Sequence, residues 1–137
     1  MVFLDASTVI YLLEGEDALQ RSTRSILGSL RTEVGAGQLA VSALSLLECR
    51  VQPVRHSDQA RVKLFDRFFS HPGLSIIEID RNVIEIATGL RAELRLRTPD
   101  AIQAASALRA APDVEFVTGD SDFRKVPNLR VHLVQNS

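Results

Sequence analysis

The sequence predicts an α/β fold, an α/β/α sandwich on a mainly parallel five-stranded sheet, and three observations predict it. Short apolar runs recur at Val2–Leu4, Leu39–Val41, Leu74–Ile79, Val114–Val117 and Val131–Val134. Between them lie longer segments whose apolar residues fall three and four positions apart, the period of an amphipathic helix. Strands that alternate with helices join in parallel through right-handed crossovers, so helices cover both faces of the sheet. The third observation is what the chain lacks: no internal repeat and no Gly/Pro/Ser-rich linker interrupts its 137 residues. Residues 1–137 are therefore expected to form a single domain with one substantial core.

In chain order, Val2-Phe3-Leu4 reads as a buried strand. A helix opens at Ser7 and carries Val9, Ile10, Leu12 and Leu13. A second helix runs from Asp17 to about Glu33 with Leu19, Ile26, Leu27 and Leu30 inward, and Gly35 and Gly37 stop it. The second strand, Leu39-Ala40-Val41, leads to a helix beginning at Ser45 that Pro53 bends or ends. Asp58 to Phe69 gives a further helix, with Val62, Phe65 and Phe69 at helical spacing. His71-Pro72-Gly73 is a turn into the β-branched strand that follows. Val83, Ile86, Ala87, Leu90 and Leu94 trace the next helical stripe. Thr98 and Pro99 then read as the N-cap and first residue of a helix reaching about Ala110. A short helix from Asp122 to Val126 separates the last two strands.

Composition excludes several function classes. Sixteen Lys+Arg against seventeen Asp+Glu leave a net charge of −1, so general basicity does not announce a nucleic-acid binder. Lys63 and Lys125 are the only lysines; the rest of the basic residues are arginine, a bias that genome composition also produces. A single cysteine, Cys49, forbids an internal disulfide and fits a reducing compartment. The N-terminus MVFLDAST does not read as a signal peptide, and no apolar run reaches membrane-spanning length. The expectation is a soluble, cytoplasmic protein without a membrane partner.

Four acidic motifs carry the chemistry. Asp5 in VFLDAST and Asp120, with Asp122, in EFVTGDSDF each follow a strand-like run, while Glu48 in SALSLLEC and Asp100 in LRTPDAIQAA lie in the first turn of a helix. In an open α/β sheet those positions converge beyond the carboxyl ends of the strands, near the topological switch point. Carboxylates meeting there require a cation, so a divalent-metal site and phosphodiester chemistry lead. Each residue also has a plainer role to weigh. Ser45 and Glu48 match a capping box. Asp100 complements a helix dipole. Asp120 and Asp122 suit a turn, with Asp122 capping the next helix. Asp5 is harder to dismiss, because a carboxylate directly after a buried strand, with no basic residue within fifteen positions, lacks a local partner. All four plain roles would have to fall at one sheet edge by accident.

Other chemistry fails sooner. His56, His71 and His132 lie far apart and none neighbours Cys49, so no zinc-type cluster is visible. Cys49 reads as a small buried hydrophobe. The first strand turns into its helix through DAST, neither a dinucleotide fingerprint nor a P-loop, which makes a nucleotide cofactor improbable. Ser7 reads as a helix N-cap and a donor orienting Asp5, and Thr118 as its counterpart near Asp120.

LDAST, a Glu about forty residues on, PDAIQAASAL and VTGDSDF together resemble the PIN-domain ribonucleases, and the size and motif order resemble the VapC-type toxins of bacterial toxin–antitoxin pairs. The resemblance spans nearly the whole chain. It implies a PIN-like fold in which Asp5, Glu48, Asp100 and Asp120 line the site, with Ser7, Thr118 and Asp122 supporting it. It also implies Mg²⁺ or Mn²⁺ as cofactor, with Asp5, Asp100 and Asp120 on the metal, RNA as substrate, a homodimer, and an antitoxin that occludes the site.

The chemistry is consistent with that expectation. Oxygen-only ligands suit hard Mg²⁺ or Mn²⁺, whose bound water has a lowered pKa, and Asp100 or Asp120 is placed to take its proton. Arg91, Arg95 and Arg97 precede Asp100 and are candidates for phosphate contacts; a solvated arginine face paired with Glu93 is the equal alternative. Two rival classes stay open. A magnesium-dependent phosphatase or phosphoacceptor domain would also place Asp after the first strand, although a phosphatase wants a second acid where this chain has Ser7, and Lys125 is misplaced for a receiver domain. A binding module with a vestigial site is the third reading.

Overall fold

The computed structural model describes residues 1–15, 17–30, 32 and 38–135. Among them five strands form one wholly parallel sheet. Their chain order is β1 (Val2–Leu4), α1 (Ala6–Glu14), α2 (Asp17–Ser29), β2 (Leu39–Ser42), α3 (Leu44–Arg55), α4 (Gln59–Phe69), β3 (Leu74–Ile77), α5 (Arg81–Leu94), α6 (Thr98–Ala110), β4 (Glu115–Thr118), a 3₁₀ turn (Ser121–Lys125) and β5 (Arg130–Leu133). The sheet order is β3-β2-β1-β4-β5. The chain therefore builds outward from β1 to β3, returns through α5 and α6, and resumes on the other side of β1. That reversal makes the β1/β4 boundary the topological switch point, where a doubly wound sheet opens a crevice at its carboxyl edge.

Alternation within each strand divides the interior into two cores. Val2 and Leu4 of β1, with Leu39 and Val41 of β2, pack among Val9, Leu12, Leu27, Phe65 and Phe69 from α1, α2 and α4. Phe3 and Ala40, one residue out of step, face the opposite way and pack with Val83 and Ala87 of α5, Ala101, Ala104 and Ala105 of α6, and Phe116 of β4. Successive residues of a strand point to opposite faces, so a run apolar at every position is the signature of a strand covered on both sides. The alanine-rich inner face of α6 lets that helix lie close against the sheet. Phe3 stacks on Phe116 at 5.4 Å between ring centres, and Phe123 of the 3₁₀ turn tilts onto Phe116 at 4.7 Å.

The structure moves several expected boundaries. Helix α1 starts at Ala6, with Asp5 as its N-cap: the Asp5 side chain accepts the backbone N–H of Thr8. Ser7 is thus inside the helix and not its cap. Helix α6 is preceded by Arg97, which makes no side-chain cap bond; Thr98, the expected cap, is the first helical residue. Pro53 neither ends nor delays α3, which runs on to Arg55. The strand expected to reach Ile79 ends at Ile77. The expected Asp122–Val126 helix is a 3₁₀ turn beginning at Ser121 and capped by Asp120, not by Asp122. The expected end of the second helix at Glu33, and its stop at Gly35 and Gly37, lie outside the described residues. Among the described residues no helix is long and apolar enough to cross a membrane.

Candidate active site

A cleft of about 270 Å³ opens at the switch point. Asp5, Ser7 and Tyr11 reach it from the start of α1, Glu48 from α3, and Arg97, Asp100 and Gln103 from the start of α6. Gly119, Asp120 and Phe123 close it after β4. The four acids separated by up to 115 positions in sequence thus share one wall-to-wall space, three of them contributed by chain segments that leave the sheet or open a helix at its carboxyl edge.

Asp5 is the most constrained of them. Only 5% of it is exposed, and among the described residues every hydrogen bond to its carboxylate comes from a neutral donor. Ser7 Oγ donates to Oδ1 at 2.9 Å, and the backbone N–H and Oγ1 of Thr8 donate to the same oxygen at 3.0 and 2.7 Å. Thr118 Oγ1 donates to Oδ2 at 2.5 Å. The Thr8 hydroxyl also lies 2.8 Å from the Val117 carbonyl oxygen, so its one proton serves two acceptors. Burial raises the Asp5 pKa above the usual carboxylate range; the bonds from Thr118, Thr8 and Ser7 oppose that rise without cancelling it. A buried carboxylate with donors but no cationic partner is one that a metal ion would stabilise.

The other acids are held more loosely. Asp120 Oδ1 accepts the backbone N–H of Asp122 at 2.9 Å, and the Asp120 N–H donates to Thr118 Oγ1 at 3.0 Å. Asp100 lies 3.3 Å from the guanidinium of Arg97, whose side chain is largely exposed. Glu48 Oε1 accepts from Gln103 Nε2 at 3.0 Å. The capping box expected for Ser45 and Glu48 is not formed. Helix α3 begins at Leu44 after an uncapped Ala43, Ser45 is buried inside it, and the Ser45 hydroxyl accepts from Gln103. Glu48 is therefore free of that structural duty.

Ser7 contacts Asp5 as expected, whereas Thr118, expected to act near Asp120, donates to Asp5 and accepts the Asp120 N–H. Asp122 does not line the cleft: its side chain faces Lys125 at 3.9 Å, and its contribution is the backbone N–H offered to Asp120. The three arginines also separate. Arg97 is at the cleft, whereas Arg91 and Arg95 line a different hollow of about 640 Å³ on α5 with Thr88 and Ala92. Among the described residues no ion pair joins either to Glu93. Arg91 instead donates to the Leu96 carbonyl at 2.8 Å. Cys49 is buried and its thiol pKa is pushed up to about 12, first by burial and then by Glu48 and Asp5, so it is no nucleophile at neutral pH.

Sequence reasoning missed Thr8, Tyr11, Gln103 and Gly119. Gln103 had a findable signal, since it stands three residues after Asp100 on the same predicted helix and so shares its face; Thr8 did not, because the helix expected to open at Ser7 left Asp5 outside it. Gly119 carries no such signal; a Cβ there would fall 2.9 Å from the Tyr11 ring, which packs directly over it.

As a cradle for a divalent ion, the cleft fits by donor chemistry: among the described residues its acidic and basic lining is four carboxylates and one arginine, beside the Tyr11 phenol. No three Asp, Glu, His or Cys side chains among the described residues close around a single point. Mg²⁺ is ordinarily held through one or two carboxylates with several waters retained, so an open acidic cleft suits it better than a tight cage would.

The match to known proteins decides the family. A model of the PIN domain matches residues 2–129. The chain belongs to the PIN-domain family. PIN domains are generally nucleases that depend on divalent metal. No curated protein matches it in sequence. Among solved structures, its fold is similar to VapBC2 from Rickettsia felis bound to a promoter DNA fragment, with 20% identity, 98% of this chain and 100% of that chain covered, and a TM-score of 0.76. FitAcB from Neisseria gonorrhoeae gives 18% identity, 96% coverage of both chains and a TM-score of 0.74. A toxin–antitoxin complex from Klebsiella pneumoniae gives 24% identity, coverages of 94% and 95%, and a TM-score of 0.69. At these identities the likeness is one of fold, and it shows the α/β/α PIN architecture over essentially the whole domain.

Proposed function

We propose that this PIN domain is a metal-dependent endoribonuclease, the toxin of a toxin–antitoxin pair. One observation carries the reading: Asp5, Glu48, Asp100 and Asp120, scattered through the sequence, line a single cleft at the switch point of a PIN fold. The proposed metal ligands are Asp5, Asp100 and Asp120, with Glu48 completing the acidic wall and Mg²⁺ or Mn²⁺ as the ion. When bound, the ion supplies a water of lowered pKa and charge stabilisation at the phosphodiester. The chain's own residues do the rest. Ser7, Thr8 and Thr118 aim the Asp5 carboxylate and keep it from rotating. Asp120 or Asp100, less buried than Asp5, accepts the proton of the attacking water. Arg97, exposed at the rim, is placed to exchange Asp100 for an RNA phosphate. Arg91 and Arg95 would extend that contact along α5.

The toxin role is supported by the complexes whose folds resemble this one. A partner surface is available on α3, where Leu47 and Val54 are 62% and 61% exposed and Val51 lies between them. These three line a groove of about 840 Å³ with Leu46, Arg50 and Arg55. Apolar residues displayed on one helix face mark a protein interface, and an antitoxin is its proposed occupant; the chain is also proposed to form a homodimer.

The test is cleavage of a fluorescently labelled RNA by the purified chain with Mg²⁺, with Mn²⁺, and after chelation, alongside Asp5→Asn. Cleavage that needs the ion and Asp5 supports the reading. An RNA left intact by a folded, metal-binding wild-type chain supports a partner-binding module instead, and cleavage that survives both chelation and Asp5→Asn removes the cleft from the mechanism.

A further inference from the structure

We infer that Gln103 is a positioning residue that holds the Glu48 carboxylate in the cleft; this rests on the metal-site reading above. Gln103 is 3% exposed and sits one helical turn after Asp100 on α6. Its Nε2 donates at 3.0 Å both to Ser45 Oγ and to Glu48 Oε1, so one planar amide ties two residues of α3 to α6. Its Oε1 is buried and has no hydrogen-bond partner among the described residues.

The unpaired oxygen explains the arrangement. An ionised carboxylate only accepts hydrogen bonds, so the NH₂ end of the amide must face Glu48, and the opposite orientation would set oxygen against oxygen. Serving Glu48 and Ser45 therefore strands Oε1 on the far side. A buried amide left half satisfied is a poor packing device, for a methionine or leucine would fill the space without an orphaned acceptor. What the amide supplies and those residues cannot is direction: two N–H bonds in one plane fix Glu48 relative to the helix that also carries Asp100. The same stripe of α6 continues with Ser106, whose Oγ meets Ser42 Oγ at 3.0 Å at the end of β2. Asp100, Gln103 and Ser106, spaced by three, thus form a polar seam along an otherwise alanine-lined helix.

The experiment is Mn²⁺ affinity, measured by calorimetry on the full chain for wild type, Gln103→Met, Glu48→Ala and the double variant, with Gln103→Leu as the alternative should the methionine variant not fold. Removing a partner that orients a ligand costs roughly 10–100-fold in metal affinity, and Glu48, which adds its charge from the wall of the cleft beside the three proposed ligands, is assigned the low end of that range. We expect about tenfold weaker binding for Gln103→Met, weaker binding for Glu48→Ala, and a double variant no weaker than Glu48→Ala alone, because Gln103 acts through Glu48. Saturating Mn²⁺ should return kcat of Gln103→Met towards the wild-type value, which a general loss of structure would not allow. Losses that add in the double variant, or wild-type affinity in a folded Gln103→Met or Gln103→Leu chain, overturn the positioning role and leave the metal site standing. Wild-type affinity in Glu48→Ala overturns both it and the assignment of Glu48 to the site.

Discussion

Thr118 Oγ1 donates its proton to Asp5 Oδ2 at 2.5 Å while accepting the backbone N–H of Asp120 at 3.0 Å, so one buried hydroxyl spaces the acid after β1 from the acid after β4. Thr118→Val keeps the shape of the side chain and removes both bonds. The unpaired Asp120 N–H and the weakened hold on Asp5 should cost about 1–3 kcal/mol, seen as a lowered denaturation midpoint, together with weaker Mn²⁺ binding. Unchanged values of both would show that the hydroxyl is a bystander.

For Asp5→Asn the prediction concerns pH. The folded carboxyl titrates above its ordinary 3.8 because burial disfavours the charge. Below 3.8 both folded and unfolded forms are protonated and nothing is lost. As pH rises, the unfolded chain ionises first, so stability falls until the folded carboxyl ionises too, and the penalty is then constant. The asparagine variant escapes that penalty. Without metal, its melting temperature relative to wild type should climb with pH from acid upward and then level off, while cleavage drops by roughly 100-fold or more. A relative melting temperature that falls with pH would contradict the assigned direction of the shift.

Gly119→Ala tests the cleft wall. The added Cβ would lie 2.9 Å from the Tyr11 ring, and the ring is the free end of its side chain, so it can move aside. The expected cost in stability is small, under about 1 kcal/mol, because little overpacking remains after that movement. Tyr11 is the only tyrosine and the chain has no tryptophan, so its emission reports the displacement directly. An unaltered spectrum with a large loss of stability would show that the ring cannot yield.

On α3, Leu47→Asp and Val54→Asp change exposed positions and should alter stability by no more than about 0.5 kcal/mol. Metal-dependent cleavage should persist, while rescue by the co-expressed antitoxin is lost. Full rescue of both variants would move the antitoxin interface elsewhere.

Much of this was legible in the sequence where the signal is local. Val2-Phe3-Leu4 is apolar at every position because both sheet faces are covered, and an acid immediately after it marks the carboxyl edge. The cap positions were misjudged for a physical reason: the Asp5 carboxylate accepts the Thr8 N–H and also lines the cleft, so a residue reserved for chemistry also performs the capping that Ser7 was expected to perform. Pro53 lies within α3, where its missing N–H weakens the helix without ending it. The Gln103–Glu48 bond joins residues 55 apart, and nothing in either segment specifies how α6 crosses α3.

Phe116 lies between the rings of Phe3 and Phe123, and Phe123 belongs both to the core behind the sheet and to the wall of the cleft. The turn bearing Asp120 is thereby bolted to the interior by an aromatic ring only three residues further along the chain. Stability and chemistry are not separable at this end of the molecule: trimming Phe3 or Phe116, neither of which touches the cleft, removes the surface on which that turn rests. Defects that look catalytic in a mutational survey will therefore extend inward along this aromatic stack, well past the residues that meet the substrate.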